Sequence, residues 1–372
     1  MKTSNGWLKG LFTIALVAGI GMPAHGQGKV YIGVSAPLTG DNAEYGEYFR
    51  TGAQLAAKHI NASGGVNGKQ VELVIEDSKA DPKEAVLIAQ RFVSNSKILA
   101  VIGDFNSSAS MAAAQIYDPA GLVQISPTAS HPDYTKVGRF IFRAGTTQRS
   151  EAPFIANWGM NVLGYRKIAT IYVKNDWGNV TNQIFAETVT KAGGTVLAQE
   201  SFIPGDKDFT ASLTKIKALN PDMLFIGTQW ADAALIAMQA RKLGLNVPLM
   251  ATGAVSTDNL IKSGGEAVEG IRANAVFFVN DTRPIAVRYT TDYKAMFNKL
   301  PHDHSALTYD AVTIVANAIR KAGEDRAKVR DALAATDYEG VTGRFRFDED
   351  RNPVKDFVKV QVVGGKWQIA TK

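Results

Sequence analysis

Short apolar stretches alternate with longer helical segments along most of the chain, and the whole pattern occurs twice. Strands that are apolar throughout are typical of parallel sheets with helices on both faces. The sequence therefore predicts an α/β fold of two doubly wound, Rossmann-like lobes. The predicted strands are 30–35, 71–75, 98–102 and 122–125, then 168–173, 195–201, 223–227 and 247–251. The predicted helices are 47–60, 82–94 and 107–118, then 179–192, 209–219 and 231–243.

The C-terminal part of the chain has a different pattern. Three predicted helices at 285–298, 306–322 and 327–335 are followed by short strands from residue 344 onward. A segment of this size is too small for a third lobe of the same kind. We expect it to pack back on the two lobes, so that the chain crosses between them more than once.

The first residues are typical of a secretory signal peptide. Lys2 and Lys9 give a positive start, residues 11–20 are apolar, and small residues lead to a cleavage site near Gly26. The apolar run is shorter than the about 20 residues that a bilayer-spanning helix needs. We predict that 1–26 is removed and that the mature chain is periplasmic. The absence of cysteine also excludes disulfides and an acylated cysteine anchor.

Several functional classes have no support in the sequence. The net charge is +6, but the basic residues are scattered and form no stripe typical of nucleic-acid binding. Residues 27–372 contain no nucleotide-binding glycine motif and no G-x-S-x-G elbow. His302 and His304 lie in a polar segment without a third ligand nearby, so we expect a solvated loop there. We predict a binding protein without catalytic residues, cofactor or metal, and keep an exported α/β enzyme as a remote alternative.

Two polar loops follow adjacent strands of the first predicted lobe. Residues 104–110 (DFNSSAS) open a helix, and residues 125–131 (ISPTASH) follow the next strand. Open α/β sheets bind ligands at the carboxyl ends of their strands. Hydroxyls beside the free N–H groups of a helix N-terminus suit a carboxylate. The residues of these loops that can meet a zwitterion are Ser107, Ser108, Thr128, Ala129 and Ser130.

In these and further motifs the chain resembles the periplasmic branched-chain amino-acid binding proteins of ABC transporters, which have the type I periplasmic binding fold. The matching stretches occur in order over essentially the whole mature chain. They include 36–40 (APLTG), 102–103 (IG), 126–127 (SP), 175–178 (NDWG), 205–209 (GDKDF), 309–311 (YDA) and 341–343 (VTG). The resemblance implies a monomer that captures a small carboxylate-bearing solute by hinge closure and delivers it to a membrane permease.

The resemblance also implies how the chain divides between the lobes. It predicts a hinge of three crossings. Lobe 1 would consist of 27–147 plus 277–353, and lobe 2 of 148–276 plus 354–372.

The resemblance further assigns roles to individual residues. Ser107 and the backbone N–H of Ser130 would hold the ligand carboxylate. The Thr128 carbonyl and the Ser130 hydroxyl would meet the ammonium. Tyr45 and Trp177 would cover the ligand's side chain from opposite lobes. The remaining predicted contacts are Phe105, Ser108, Ala129, Gln229, Trp230 and Gly253.

One position departs from the family pattern. Leucine-type members carry a glutamate that neutralises the ligand ammonium, and here the matching position is Gly253. A buried ammonium without a partner costs several kcal/mol. In one hypothesis the ligand is a small amino acid of the branched-chain or aliphatic type, and either another carboxylate or the amide of Gln229 binds its ammonium. The other is a ligand without an amine: an aromatic or 2-oxo carboxylic acid, or an amide or urea-type solute. The acids considered from their loop positions are Asp104, Asp176, Asp232 and Asp310.

Overall fold

The structure is a computed structural model that describes Met1 and residues 28–372. Apart from Met1, the predicted signal peptide lies outside the described residues. Two sheets of five and seven strands form the centres of two lobes, which confirms the predicted α/β class. Within the described residues, no helix combines the length and the apolar character of a bilayer-crossing segment.

The first sheet is parallel throughout, in the order β2-β1-β3-β4-β5. Its strands are β1 (Lys29–Ala36), β2 (Gln70–Asp77), β3 (Ile98–Ile102), β4 (Val123–Ser126) and β5 (Ile141–Arg143). The helices in this part of the chain are α1 (Ala43–Ala62), α2 (Pro82–Ser94) and α3 (Ser107–Tyr117). Apolar residues of α1 pack on one face of the sheet and those of α2 and α3 on the other. The carboxylate of Asp81 caps α2 by accepting the N–H groups of Lys83 and Glu84.

The second sheet has the order β14-β13-β10-β9-β8-β6-β7, and only β13 and β14 run antiparallel to their neighbours. Its strands are β6 (Lys167–Val173), β7 (Thr195–Phe202), β8 (Met223–Gly227), β9 (Leu249–Ala251), β10 (Arg272–Ala275), β13 (Val358–Val363) and β14 (Lys366–Ile369). Its helices are α4 (Gln148–Asn157), α5 (Asp176–Lys191), α6 (Thr210–Ala218), α7 (Trp230–Lys242) and α8 (Asp258–Gly264). Among these elements, α4, α8 and β10 are not predicted from the sequence.

The segment between β10 and β13 belongs to the first lobe in space. It contains α9 (Pro284–Phe297), α10 (Asp303–Ala322), α11 (Arg326–Ala334) and the hairpin of β11 (Asp337–Gly340) and β12 (Gly343–Arg346). The buried residues of α10 join the same core as those of α1 and β1. The chain thus passes between the lobes after β5, after β10 and before β13. The limits 27–147 plus 277–353 and 148–276 plus 354–372 stay a prediction.

Close packing of α10 against α1 places the start of α10 beside the other lobe. A Cβ atom at Gly52 of α1 would overlap the carbonyl oxygen of Ser305, so the two helices approach where one has no side chain. Asp303 and His304, in the first turn of α10, therefore lie at the boundary between the lobes.

Candidate ligand-binding site

A cavity of about 80 Å³ lies between the two lobes. One side is formed by the segments after β3, β4 and β5 and by the first turns of α10. The other is formed by α4, by β10 and by the loops after β6, β8 and β9. The carboxyl ends of the parallel strands of both sheets thus meet at the cavity, as the fold class predicts. Its polar and aromatic lining includes Phe105, Ser107, Ser108, Thr128, Ser130, Glu151, Trp177, Gln229, Asn274, Asp303 and His304.

The hydroxyl of Ser107, at the start of α3, does not cap the helix. The residue that caps α3 is Asn106, whose side-chain oxygen accepts the N–H of Ala109 at 2.7 Å. The Oγ of Ser107 accepts the N–H of His131 at 3.2 Å. The Ser107 O–H is then available to donate to a ligand at the positive end of the helix dipole. This geometry suits a carboxylate.

The hydroxyl of Ser130 is held by two N–H donors. Its Oγ accepts Trp177 Nε1 at 2.9 Å and Gln148 Nε2 at 2.8 Å. Because a hydroxyl oxygen has two lone pairs, its own proton is what remains for a ligand. The arrangement favours donation to a carboxylate over the ammonium contact predicted for this hydroxyl. The bond from Trp177 also joins the two lobes.

The other two residues of this loop differ in their position. Thr128 lines the cavity, and its Oγ1 donates to the Phe105 carbonyl at 2.6 Å, which ties the two polar loops together. Ala129 is fully buried behind the loop, and its N–H donates to Ser126 Oγ at 2.9 Å. Ala129 therefore supports the loop, while Thr128 faces the ligand space.

A buried carboxylate lies next to Gly253, although Gly253 itself carries none. Glu151, in the first turn of α4, lines the cavity and is 7% exposed. It accepts the N–H of Gly253 at 3.1 Å, Asn274 Nδ2 at 2.9 Å and Gln148 Nε2 at 2.8 Å. Burial raises the pKa of the Glu151 carboxyl, and these three hydrogen bonds offset only part of that effect. A cationic group in the cavity would favour the ionised form.

The four acids considered from their loop positions do not line the cavity. Their carboxylates are paired elsewhere: Asp104 with Ser35, Asp176 with Ser108, Asp232 with Thr228 and Asp310 with Thr342. The bond from Ser108 to Asp176, 2.9 Å long, crosses between the lobes. The lining acids are Glu151 and Asp303 instead, and neither is predicted from the sequence. The one available signal for Glu151 is its place just after the predicted crossing at 147/148.

Tyr45 and Trp230 connect the lobes beside the cavity. The hydroxyl of Tyr45 donates to the Ala254 carbonyl at 2.6 Å and accepts the backbone N–H of Trp230 at 3.2 Å. The Tyr45 ring stacks on Phe105 with centroids 4.3 Å apart. Phe105 lines the cavity, whereas Tyr45 and Trp230 do not. The two residues thus hold the lobes together and support the wall formed by Phe105.

The H-x-H segment is not the solvated loop that we expected, because it forms the buried start of α10. His302 is the N-cap of α10, stacks on Tyr48 and places its Nε2 2.8 Å from the Ser256 carbonyl. Its Nδ1 accepts the N–H of His304 at 3.2 Å. Ligand atoms of His302, Asp303 and His304 lie within 4.8 Å of one another. With both nitrogens of His302 engaged, two potential ligands remain, fewer than zinc sites in proteins use.

Comparison with known proteins agrees with the two-lobe architecture. Residues 29–366 match the family model described as periplasmic binding protein. The chain is 32% identical to the leucine-, isoleucine-, valine-, threonine-, and alanine-binding protein of Pseudomonas aeruginosa, over 96% of this chain and 95% of that one. It is 31% identical to the branched-chain amino acid transporter substrate binding protein of Streptococcus pneumoniae solved with isoleucine, with a TM-score of 0.86 over 92% of this chain and 99% of that one. A putative branched-chain amino acid ABC transporter from Rhodospirillum rubrum is 37% identical, with a TM-score of 0.71 over 92% of this chain and 100% of that one.

Proposed function

Because the chain belongs to the periplasmic binding protein family, we propose that it is the solute-binding protein of an ABC importer and captures a small amino acid between its lobes. The relatives described above are named for amino acids of this class. The proposed ligand contacts are Phe105, Ser107, Ser108, Thr128, Ser130, Glu151, Trp177, Gln229 and Gly253. Tyr45, Ala129 and Trp230 support this set from behind or beside the cavity.

The observation that carries the proposal is the presence of Glu151 in the same cavity as the hydroxyls of Ser107 and Ser130. An amino acid has one carboxylate and one ammonium on the same carbon. The hydroxyls and the N-terminus of α3 suit the carboxylate. Glu151 suits the ammonium, since an ion pair offsets the cost of burying either charge alone.

Binding is proposed to proceed by closure of the lobes. Ser107 and Ser130 belong to the first lobe, whereas Glu151 and Trp177 belong to the second. A ligand that contacts both sets favours the closed arrangement, because those contacts exist together only when the lobes meet. The hydrogen bond from Trp177 to Ser130 adds a direct contact between the lobes, next to the proposed position of the ligand carboxylate.

A ligand without an amine is the second candidate, and one observation favours it. Burial raises the pKa of Glu151, so its neutral form is more accessible than that of an exposed glutamate. A protonated carboxyl can donate to the keto oxygen of a 2-oxo acid or to the carbonyl of an amide. Proton donation from Glu151 would then replace the ion pair.

A binding experiment separates the two candidates. The mature protein, residues 27–372, is titrated calorimetrically with threonine, valine and leucine and with the 2-oxo acid of each. Binding of an amino acid without binding of its 2-oxo analogue supports the proposed function. The reverse pattern overturns it in favour of the second candidate. Ser107→Ala should weaken binding of every carboxylate ligand, and unchanged affinity would show that the carboxylate lies elsewhere.

The cellular setting is part of the proposal. We propose export with cleavage near Gly26, a periplasmic location, a monomeric state and delivery of the solute to a membrane permease. We also propose that the solute leaves the protein chemically unchanged. Release of a reaction product from the bound amino acid would overturn this last point, and fractionation of cells tests the location.

A further inference from the structure

Gln148 contacts both ends of the proposed binding site without lining the cavity itself. It is the first residue of α4 and is fully buried. Its Nε2 donates to Ser130 Oγ and to Glu151 Oε2, each at 2.8 Å. Its backbone N–H donates to the Ser130 carbonyl at 2.8 Å. One side chain thus connects the hydroxyl proposed for the ligand carboxylate to the carboxylate proposed for the ligand ammonium.

The charge of Glu151 determines how the amide of Gln148 is oriented. An amide nitrogen carries two hydrogens, so Nε2 can donate to both oxygens at once. Turning the amide by half a rotation would bring Oε1 against the ionised Glu151 carboxylate, and two acceptors would then face each other without a proton. Oε1 has no hydrogen-bond partner among the described residues, so the contacts of Nε2 set the orientation. An ionised Glu151 therefore requires that Nε2 faces it.

The orientation of the amide in turn directs the proton of the Ser130 hydroxyl. Gln148 Nε2 and Trp177 Nε1 both donate to Ser130 Oγ, which occupies its lone pairs and leaves its proton for the ligand. When Glu151 is protonated, its O–H can donate to Oε1 of a turned amide. The Ser130 hydroxyl can then donate to the same oxygen, and the ligand carboxylate loses that donor. An ionised Glu151 and a Ser130 proton directed at the ligand therefore occur together.

We propose that Gln148 is a positioning residue that couples the two ends of the binding site. The negative charge on Glu151 fixes the Gln148 amide, and the fixed amide leaves the Ser130 hydroxyl to donate to the ligand carboxylate. This inference rests on the proposed function, because Ser130 and Glu151 must be ligand contacts. A bound ammonium keeps Glu151 ionised and thereby strengthens the contact to the carboxylate. The site therefore favours a ligand that carries both charges.

Gln148→Met tests the coupling, because methionine has a similar length but forms neither hydrogen bond. The mature protein is titrated calorimetrically at pH 7.5 with whichever of threonine, valine and leucine binds the wild type most tightly. Affinity should fall about tenfold or more, since two buried groups lose a partner. Gln183→Met is the matched control, because Gln183 donates to Glu187 at 3.0 Å on an exposed part of α5 in the same lobe. It should change neither the affinity nor its pH dependence.

The pH dependence of affinity separates positioning from a simple loss of packing. Burial raises the pKa of the Glu151 carboxyl and the nearby Asp303 carboxylate adds to this effect, whereas the hydrogen bond from Gln148 is one of three that lower it. Removing that bond raises the pKa further. Because affinity is lost as the pH falls through this pKa, Gln148→Met should lose it at a higher pH than the wild type. The same pH profile in both proteins would mean that only packing was lost, and it overturns the inference.

A double-mutant cycle with Glu151→Gln supplies the second measurement. Without the charge that fixes the amide, Gln148→Met should reduce affinity less than it does in the wild type, by a factor of at least about three. Equal reductions in both backgrounds overturn the inference and leave amino-acid binding intact. If none of the three amino acids binds the wild type, the inference and the proposed function both fail. Should Gln148→Met fold poorly, Gln148→Glu is the second variant. Its carboxylate would accept the Ser130 proton and should also weaken binding about tenfold or more, and unchanged affinity overturns the inference.

Discussion

The backbone N–H of Gly253 donates to the carboxylate of Glu151 at 3.1 Å, although the two residues are 102 positions apart in the chain. A Cβ at Gly253 would lie 3.4 Å from Glu151 Oε1 and 2.8 Å from the Asn274 carbonyl oxygen. The space that a side chain at 253 would enter is thus next to the Glu151 carboxylate. The negative charge expected at position 253 lies in the same part of the cavity but comes from α4.

Glu151→Gln should weaken amino-acid binding by about 30-fold or more. Removing one partner of a buried charge pair costs about 2–5 kcal/mol, and 1.4 kcal/mol corresponds to a factor of ten. The ligand-free variant should melt at the same or a higher temperature, because burial opposes the charge that the substitution removes. Titration calorimetry and scanning calorimetry measure the two effects.

The control for this variant is Glu187→Gln, the same substitution at an exposed position on α5 of the same lobe. It should change neither affinity nor melting temperature. If Glu151→Gln bound the ligand as tightly as the wild type, Glu151 could not be the partner of an ammonium.

Amino-acid binding should release protons as the pH approaches the pKa of Glu151 in the ligand-free protein. Burial raises that pKa, so the free protein holds the proton to a higher pH than an exposed glutamate would. A ligand ammonium favours the ionised form and lowers the pKa. Affinity is therefore complete above the raised pKa and is lost as the pH falls through it. Calorimetry in buffers with different ionisation heats measures the released protons, and Glu151→Gln should abolish this component.

The sequence predicts the fold better than it predicts the side of the cavity that the second lobe forms. The strands of the two sheets are mostly apolar throughout, such as Ile98–Ile102 and Met223–Gly227, and the structure has both at the predicted positions. The polar loops after β3 and β4 are also predicted from the sequence, because serine and threonine occur shortly after the ends of these two apolar strands. Apolar strands of this kind can be predicted from a single sequence, because their burial follows from their local composition.

The site residues that the sequence does not predict belong to elements without the usual local pattern of a helix or a strand. Glu151 lies in α4, whose interior contains Pro153, a residue that normally argues against a helix. Asn274 lies in β10, a four-residue strand with the sequence RANA and no apolar run. Their pairing with Gly253 depends on tertiary contacts between distant segments. Periodicity and residue type in one sequence do not contain this information.

Tyr45→Phe should speed ligand dissociation roughly tenfold. The substitution removes two bonds between the lobes and leaves the Trp230 N–H and the Ala254 carbonyl unpaired in the closed form, at a cost of about 1–3 kcal/mol. Opening of the lobes lets water pair both groups. Stopped-flow fluorescence of the tryptophans measures the rate. Tyr48→Phe is the matched control, because the Tyr48 hydroxyl bonds Glu44 within α1, and it should leave the dissociation rate unchanged.

Exchanging the residues at 151 and 253 tests whether the location of the charge or its presence matters. Glu151→Gly alone removes the carboxylate, and Gly253→Glu alone places a second carboxylate beside Glu151. Each single variant should therefore bind an amino acid more weakly than the wild type. The double variant restores one carboxylate to this part of the cavity and should recover part of the affinity, although the Asn274 carbonyl must shift to admit a Cβ at 253.

The double-mutant cycle should give a favourable interaction free energy of about 0.5–3 kcal/mol between the two substitutions. Glu151→Gly combined with Gly253→Gln is the control, because it fills the same volume without a charge. Recovery in the control as well would mean that volume governs binding and that no carboxylate is needed for the ammonium. Recovery with glutamate alone would establish that the ligand's cation needs a negative charge in this region, whichever segment supplies it.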